Sequence, residues 1–234
     1  WYRVNVYSKV SLDLLSIDEI IYMLKEECAI RNTSWKPLYM EEGGELLASD
    51  TMPPKFNFFV RTYGQLKVLQ DMQMPEEYGI TIRAKSRTPQ PEINNEFKLK
   101  IREIIMKRYT ADESNLDLCS VVNDPIWGDV YGGLNNAKCM AAAIEVMGEC
   151  MPRLHNLSLD LNYLDDVLSL EGIENHLPEL RNLSLVSNNL QTIQSLKVLS
   201  HLPLVELSLG MNPLRKPADP SELLTFLPHL RILN

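Results

Sequence analysis

Three stretches, LHNLSLDLNYL (154–164), LRNLSLVSNNL (180–190) and LVELSLGMNPL (204–214), share the pattern LxxLxLxxNxL, and LRIL (230–233) opens a fourth copy. The equivalent leucines Leu157, Leu183, Leu207 and Leu233 are separated by 26, 24 and 26 residues. That is the period of a leucine-rich repeat, in which each copy adds one short strand and a return segment to a solenoid. The leucines of each LxL point into the core. Asn162, Asn188 and Asn212 stand at the turns, where a carboxamide can bond backbone groups that the curved ladder leaves unpaired. Pro152, Pro178, Pro203 and Pro228 recur before each strand and stop the preceding convex-side segment. His176 and His201 hold equivalent places and are read as repeat furniture.

Strand alternation assigns the residues facing out of the concave side: Asn156, Ser158 and Asp160, then Asn182, Ser184 and Val186, then Glu206, Ser208 and Gly210. The set holds two acids and no base, which suits a protein partner better than a phosphate backbone. The candidate protein-binding residues are therefore Asn156, Ser158, Asp160, Asn182, Ser184 and Glu206. Asn156-Leu-Ser158, Asn182-Leu-Ser184 and Asn32-Thr-Ser34 fit the glycosylation sequon and are read as accidents of sequence.

Ahead of the repeats, residues 1–86 read as β-α-β-β-α-β. Strands are expected at Trp1–Val6, Trp35–Met40, Phe56–Arg61 and Gly79–Lys85, and helices at Ser16–Cys28 and Tyr63–Met72. Ser16 and Glu19 have capping-box spacing, and a loop is expected over Glu41–Pro54. This order within one short domain is that of a ferredoxin-like sandwich, of which the RNA-recognition motif is the commonest user. KFNFFVRT (55–62) meets the third-strand signature of that motif only in part. Alternation buries Phe56, Phe58 and Val60 and leaves Asn57, Phe59 and Arg61 on the open sheet, beside Arg3 and Asn5. One stacking ring, Phe59, remains, so base reading by the sheet is expected to be weak.

The fold class is thus α+β: a ferredoxin-like RNA-recognition-motif domain (1–86), a polar proline-containing linker (87–96), and an α/β solenoid of leucine-rich repeats (97–234). The solenoid begins with an amphipathic capping helix over Phe97–Tyr109, with Leu99, Ile101, Ile104 and Ile105 as its apolar positions.

The 234 residues carry 23 Lys+Arg against 31 Asp+Glu, a net −8. Residues 1–90 hold 11 bases and 12 acids, and residues 91–234 hold 12 and 19. Binding of nucleic acid by phosphate neutralisation needs an extended basic surface. Here the bases concentrate only at Arg83, Lys85 and Arg87 and along Lys98–Arg108. The candidate RNA contacts are Arg3, Lys9, Phe59, Arg61, Arg83, Lys85, Arg87, Lys98, Lys107 and Arg108. No HExxH, GxSxG, Walker loop or metal-spaced Cys/His cluster occurs, so no enzyme, cofactor or metal is expected. Cys28, Cys119, Cys139 and Cys150 are read as reduced thiols of an intracellular protein. No apolar run is long enough for a membrane span, and the start at Trp1 reads as a piece of something longer.

The succession of this domain, a linker, a helix carrying Ile105-Met106-Lys107-Arg108-Tyr109, the stretch LNNAKCMAAAIEVM (134–147) and the repeats with Asn162 resembles the TAP-type nuclear RNA export factors over essentially the whole chain. The resemblance implies RNA binding with little sequence specificity, adaptor proteins of nuclear RNA processing as partners, and a nuclear location with shuttling to the cytoplasm. It also implies a small nuclear-transport-factor-like partner and nucleoporins, engaged through domains outside this chain. Asn136 and Ala137 stand where the family tends to place arginines, and the repeat half is acidic. The alternative is a diverged paralogue whose repeats form a protein-interaction scaffold in nuclear RNA regulation, such as small-RNA-guided transcriptional or transposon silencing, with weakened RNA binding.

Overall fold

The computed structural model describes residues 1–8, 16–31, 33, 35–43, 54–72, 74, 76, 79–86 and 89–234, with the side chains of 84–86 left undescribed. Two compact units form, Trp1–Gln90 and Pro91–Asn234.

The first unit runs β1 (Tyr2–Tyr7), α1 (Ile17–Ile30), β2 (Leu38–Glu42), β3 (Phe56–Val60), α2 (Tyr63–Gln70) and β4 (Thr81–Ser86). Its sheet is antiparallel with the order β2-β3-β1-β4, and Asn5 lies opposite Asn57 on one side and Arg83 on the other. The element order matches the reading of the sequence, with boundaries shifted by one to three residues. Ser16 and Glu19 close the expected capping box, and Thr62 with Gln65 closes a second at the start of α2. Val4, Val6, Phe56, Phe58 and Val60 pack with Ile20, Ile21 and Leu24 of α1 and Leu66 and Leu69 of α2. This is the core that alternation assigned.

The second unit opens with α3 (Asn95–Arg108), capped by the Asn94 side chain on the Phe97 N–H. It continues through the short antiparallel pair β5 (Tyr109–Thr110) and β6 (Asn115–Asp117), then α4 (Ala137–Cys150). The repeat strands follow as β7 (Asn156–Ser158), β8 (Asn182–Ser184), β9 (Glu206–Ser208) and β10 (Ile232–Leu233), with α5 (Pro220–Leu224) between the last two. β6 to β10 pair in parallel in chain order, with Leu116, Leu157, Leu183, Leu207 and Leu233 in one register row. The return segments between β7, β8 and β9 are short 3₁₀ turns, consistent with so brief a period.

The asparagine at each turn links neighbouring repeats. Asn162 donates to the Leu118 carbonyl at 2.8 Å and accepts from the Val121 N–H at 3.1 Å. Asn188 accepts from the N–H groups of Asn162 and Leu164, and Asn212 accepts from Leu190. The expected structural use of these residues is the observed one.

α3 covers the open end of the solenoid with Phe97, Ile101, Ile104 and Ile105, all buried. Full burial of four such side chains is worth on the order of 6–12 kcal/mol before entropy is subtracted. Leu99, expected in that set, is instead 67% exposed. Two residues further along a helix lie about 200° around it, so Leu99 faces away from Phe97 and Ile101.

Candidate functional site

The described strands β6 to β9 build a shallow concavity of about 320 Å³ lined by Glu113, Asn115, Asn156, Asn182, Ser184 and Glu206, with Ser158 and Ser208 completing its floor. The registers stack Asn115, Asn156, Asn182 and Glu206 in one row and Asp117, Ser158, Ser184 and Ser208 in the next. Five of the six residues expected to face a protein partner, Asn156, Ser158, Asn182, Ser184 and Glu206, line this strip, and Asp160 lies just beyond β7, bonded to Ser184. Their side chains tie the rows together. Asn182 donates to Asn156 Oδ1 at 2.6 Å, Asn156 donates to the Glu113 carbonyl at 2.8 Å, and the Ser184 hydroxyl donates to Asp160 Oδ1 at 2.6 Å. Asp160 also accepts from the Val186 N–H at 2.7 Å. A surface whose polar groups are already aligned by mutual bonds loses little entropy when a partner docks. Asn115 and Asp117 were missed by counting only complete repeats, although N-L-D-L (115–118) has the same alternation; Glu113, in the turn before β6, carries no such signal.

The basic candidates fare differently. Arg108 donates from Nε and Nη2 to Asp124 Oδ2 at 3.1 and 2.8 Å, and from Nη1 to the Cys119 carbonyl at 2.8 Å. Asp124 is only 5% exposed. Burial by itself would raise its carboxyl pKa, but the Ile126 N–H and the Arg108 guanidinium outweigh burial and hold it below the usual carboxylate range. Arg108 thus clamps α3 to the turn that carries Asp124. Lys98 pairs with Glu145 of α4 at 2.9 Å, and that hydrogen bond lowers the Glu145 carboxyl pKa. One turn on, Arg102 pairs with Glu149. The row of bases on α3 that looked like an RNA patch thus faces a row of acids on α4. Lys107 alone of the two α3 candidates beside Arg108 remains exposed without such a pair.

On the sheet of the first unit, Arg3 donates to Asn57 Oδ1 at 3.2 Å and stands 3.9 Å from Glu41. Phe59 is 7% exposed, with Tyr39 edge-on to it at 6.2 Å. The face is closed where one open ring was expected, so Phe59 presents no platform to a base. Arg61 lies over the Trp1 ring at 5.7 Å and Arg83 over Tyr7 at 5.4 Å. Both guanidinium groups lie at the exposed surface. Tyr7 escaped the sequence reading because the first strand was ended one residue early. Lys85 lies on β4 next to Arg83's row, and Lys9 and Arg87 lie outside the described residues. Among the described residues no group of His, Cys, Asp and Glu is placed to hold a metal ion, and no helix is long and apolar enough to cross a membrane.

Comparison with known proteins adds three findings. The profile of the NXF1/2/3/5 leucine-rich repeat domain matches residues 106–225. Nuclear RNA export factor 1 of Drosophila melanogaster is 32% identical over 162 residues, which cover 68% of this chain and 24% of that protein. The chain therefore spans about a quarter of the curated relative it matches. Among solved structures, the Chaetomium Mex67:Mtr2 subunits are 26% identical with a TM-score of 0.49, over 58% of this chain and 88% of that one. The Mex67 leucine-rich-repeat domain of Chaetomium thermophilum is also 26% identical, at a TM-score of 0.47, over 58% of this chain and 90% of the other.

Proposed function

The chain belongs to the family of nuclear RNA export factors, and from that premise we propose that it is an adaptor module for nuclear RNA, with a repeat face that takes protein and a basic edge that touches RNA. The first unit is read as an RNA-recognition-motif domain with a closed sheet face. Its RNA contacts are Arg61, Arg83 and Lys85, with Arg87 following. The concave strip of Asn156, Ser158, Asp160, Asn182, Ser184 and Glu206 receives a protein of the nuclear RNA-processing machinery. The whole protein works in the nucleus and shuttles, in cooperation with a small nuclear-transport-factor-like partner and nucleoporins.

The observation that carries this reading is where the capping helix of the solenoid spends its bases. Arg108, Lys98 and Arg102 are bound to Asp124, Glu145 and Glu149. The concave strip meanwhile keeps Glu113, Asp117, Asp160 and Glu206. Phosphates approaching that strip meet carboxylates, and the electrostatic gain that drives RNA binding is lost there. The same observation favours a diverged paralogue, in which the repeats serve as a scaffold for nuclear RNA regulation, over a bulk carrier of RNA.

The test is fluorescence-anisotropy binding of the chain to single-stranded RNA, before and after reversal of Arg83, Lys85 and Arg87 to Glu. Loss of most of the affinity is expected. Unchanged affinity removes the sheet edge from the account.

A further inference from the structure

We propose that the edge of the solenoid where the repeat strands end is a docking ledge for a polypeptide segment that carries basic and apolar side chains together. The inference rests on the reading of the concave strip as a protein surface and names the chemistry of what that surface takes.

The turn residue before each asparagine is left-handed: Leu161, Ser187 and Met211 each have a φ of 56°, and Tyr163, just beyond, has 59°. The backbone is held there by the ladder. Leu161 N–H donates to the Val186 carbonyl at 3.1 Å, and Ser187 N–H donates to Gly210 at 2.9 Å. A bulky side chain is disfavoured in this conformation, whereas asparagine visits it readily. The positions nonetheless carry Leu, Tyr and Met, and all three point outward: Leu161 is 48%, Tyr163 56% and Met211 84% exposed. The ladder fixes the conformation but does not call for an apolar side chain there, and such outliers concentrate where a surface is used.

The three form one feature. Equivalent residues on adjacent parallel strands lie about 4.8 Å apart, so Leu161 and Met211 are separated by about 10 Å. Ser187 bridges the interval with its hydroxyl 3.5 Å from the Met211 sulfur. An extended chain covers that span in about three residues. Beside the ledge stand Asp117 and Asp160 on the strip and the exposed Asp165 and Asp166 next to Tyr163. Arg108 reaches this end of the strip through the Asp117 and Cys119 carbonyls, but its charge is paired with Asp124; Arg215 and Lys216 lie in the loop after the third repeat, while Arg181 and Arg231 sit at the opposite edge, where the strands begin. Apolar anchors framed by carboxylates select a segment with apolar side chains flanked by Lys or Arg. A phosphate backbone is excluded by the same charges.

The probe is a short synthetic peptide of alternating arginine and leucine, titrated by anisotropy against the full chain. A peptide of arginine and serine with equal charge and an oligouridylate RNA serve as comparisons. The arginine–leucine peptide is expected to bind about tenfold or more tightly than the arginine–serine one, and Leu161→Asn with Met211→Asn should remove that margin. The double variant should melt at or above the parent temperature, because asparagine suits the conformation, so lost binding will not reflect lost fold. Equal binding of the two peptides, or a margin that survives the double variant, overturns the ledge. If the margin survives but Ser158→Arg with Asn182→Arg abolishes binding, the protein-binding strip stands and only the ledge falls. Competition of oligouridylate for the ledge overturns both in favour of RNA.

Discussion

Asn188→Ala isolates the cost of the bonds that couple one repeat to the next. The Asn188 carboxamide is buried, accepts the Asn162 and Leu164 N–H groups at 3.0 and 3.1 Å, and donates to the Leu159 and Leu185 carbonyls at 3.0 Å each. Removing it strands two buried donors at about 1–3 kcal/mol each. The Leu185 carbonyl keeps a second donor, Asn212 Nδ2 at 2.8 Å, so the acceptor side loses less. The expected cost is about 2–5 kcal/mol. Asn212→Ala strands one donor, the Leu190 N–H, at a half-buried site and takes a donor from the Leu209 carbonyl, for about 1–2 kcal/mol. Asn188→Asp keeps the acceptor and should recover part of the loss. Hydrogen exchange of repeat-strand peptides across a urea series reads the second unit separately from the first. A cost for Asn188→Ala below about 1 kcal/mol, or one no larger than that of Asn212→Ala, refutes the ladder argument.

Three further outcomes follow from other contacts. Arg108→Ala leaves the Asp124 carboxylate buried without its partner, at a cost of about 3 kcal/mol near neutrality. Because the folded pKa of Asp124 is depressed, the stability gained from the pair is complete above about pH 4 and lost as pH falls through the lower folded value. Urea unfolding across pH should therefore show the deficit of the variant shrinking in acid, and a constant deficit would contradict it. Gly132→Ala drives a methyl to within 1.9 Å of the Trp127 ring, which is packed at 5.0 Å against Phe97. Calorimetry should show a loss of about 3 kcal/mol or more, with Gly64→Ala, whose nearest neighbour is 4.0 Å away, close to neutral. Burial pushes the Cys139 thiol up to about 12 and keeps it protonated at neutral pH. Mass spectrometry after brief alkylation should find the partly exposed Cys119 and Cys150 labelled well before Cys28 and Cys139.

The repeat unit was legible because its signal is redundant: one leucine spacing sets strand, core row and turn together, and every asparagine lands where the spacing puts it. The concave strip followed from alternation alone. The basic surface was not legible in the same way, because a run of Lys and Arg has no partner until the fold supplies one. Glu145 and Glu149 are 47 residues from Lys98 and Arg102 in sequence, and Asp124 gives no local sign that it will be buried beneath Arg108. Leu99 was misplaced although the clue was available, since Phe97, Ile101, Ile104 and Ile105 keep helical spacing and Leu99 breaks it. Phe59 was expected in the open because alternation reports the side of a sheet and not what covers that side. The outward Leu161, Tyr163 and Met211 were hidden inside repeat letters that tolerate any residue.

The proposed reading is that this export-factor solenoid pairs the bases of its capping helix with its own acids and keeps carboxylates on its concave strip, which leaves RNA the small basic edge of the first unit. Anisotropy binding of the chain to single-stranded RNA at two salt concentrations tests it directly. About three phosphate contacts, from Arg61, Arg83 and Lys85, predict weak binding and a log–log salt slope of about −2 to −3. Tight binding with a slope steeper than about −5 would require more cations than the edge offers, and would contradict the claim.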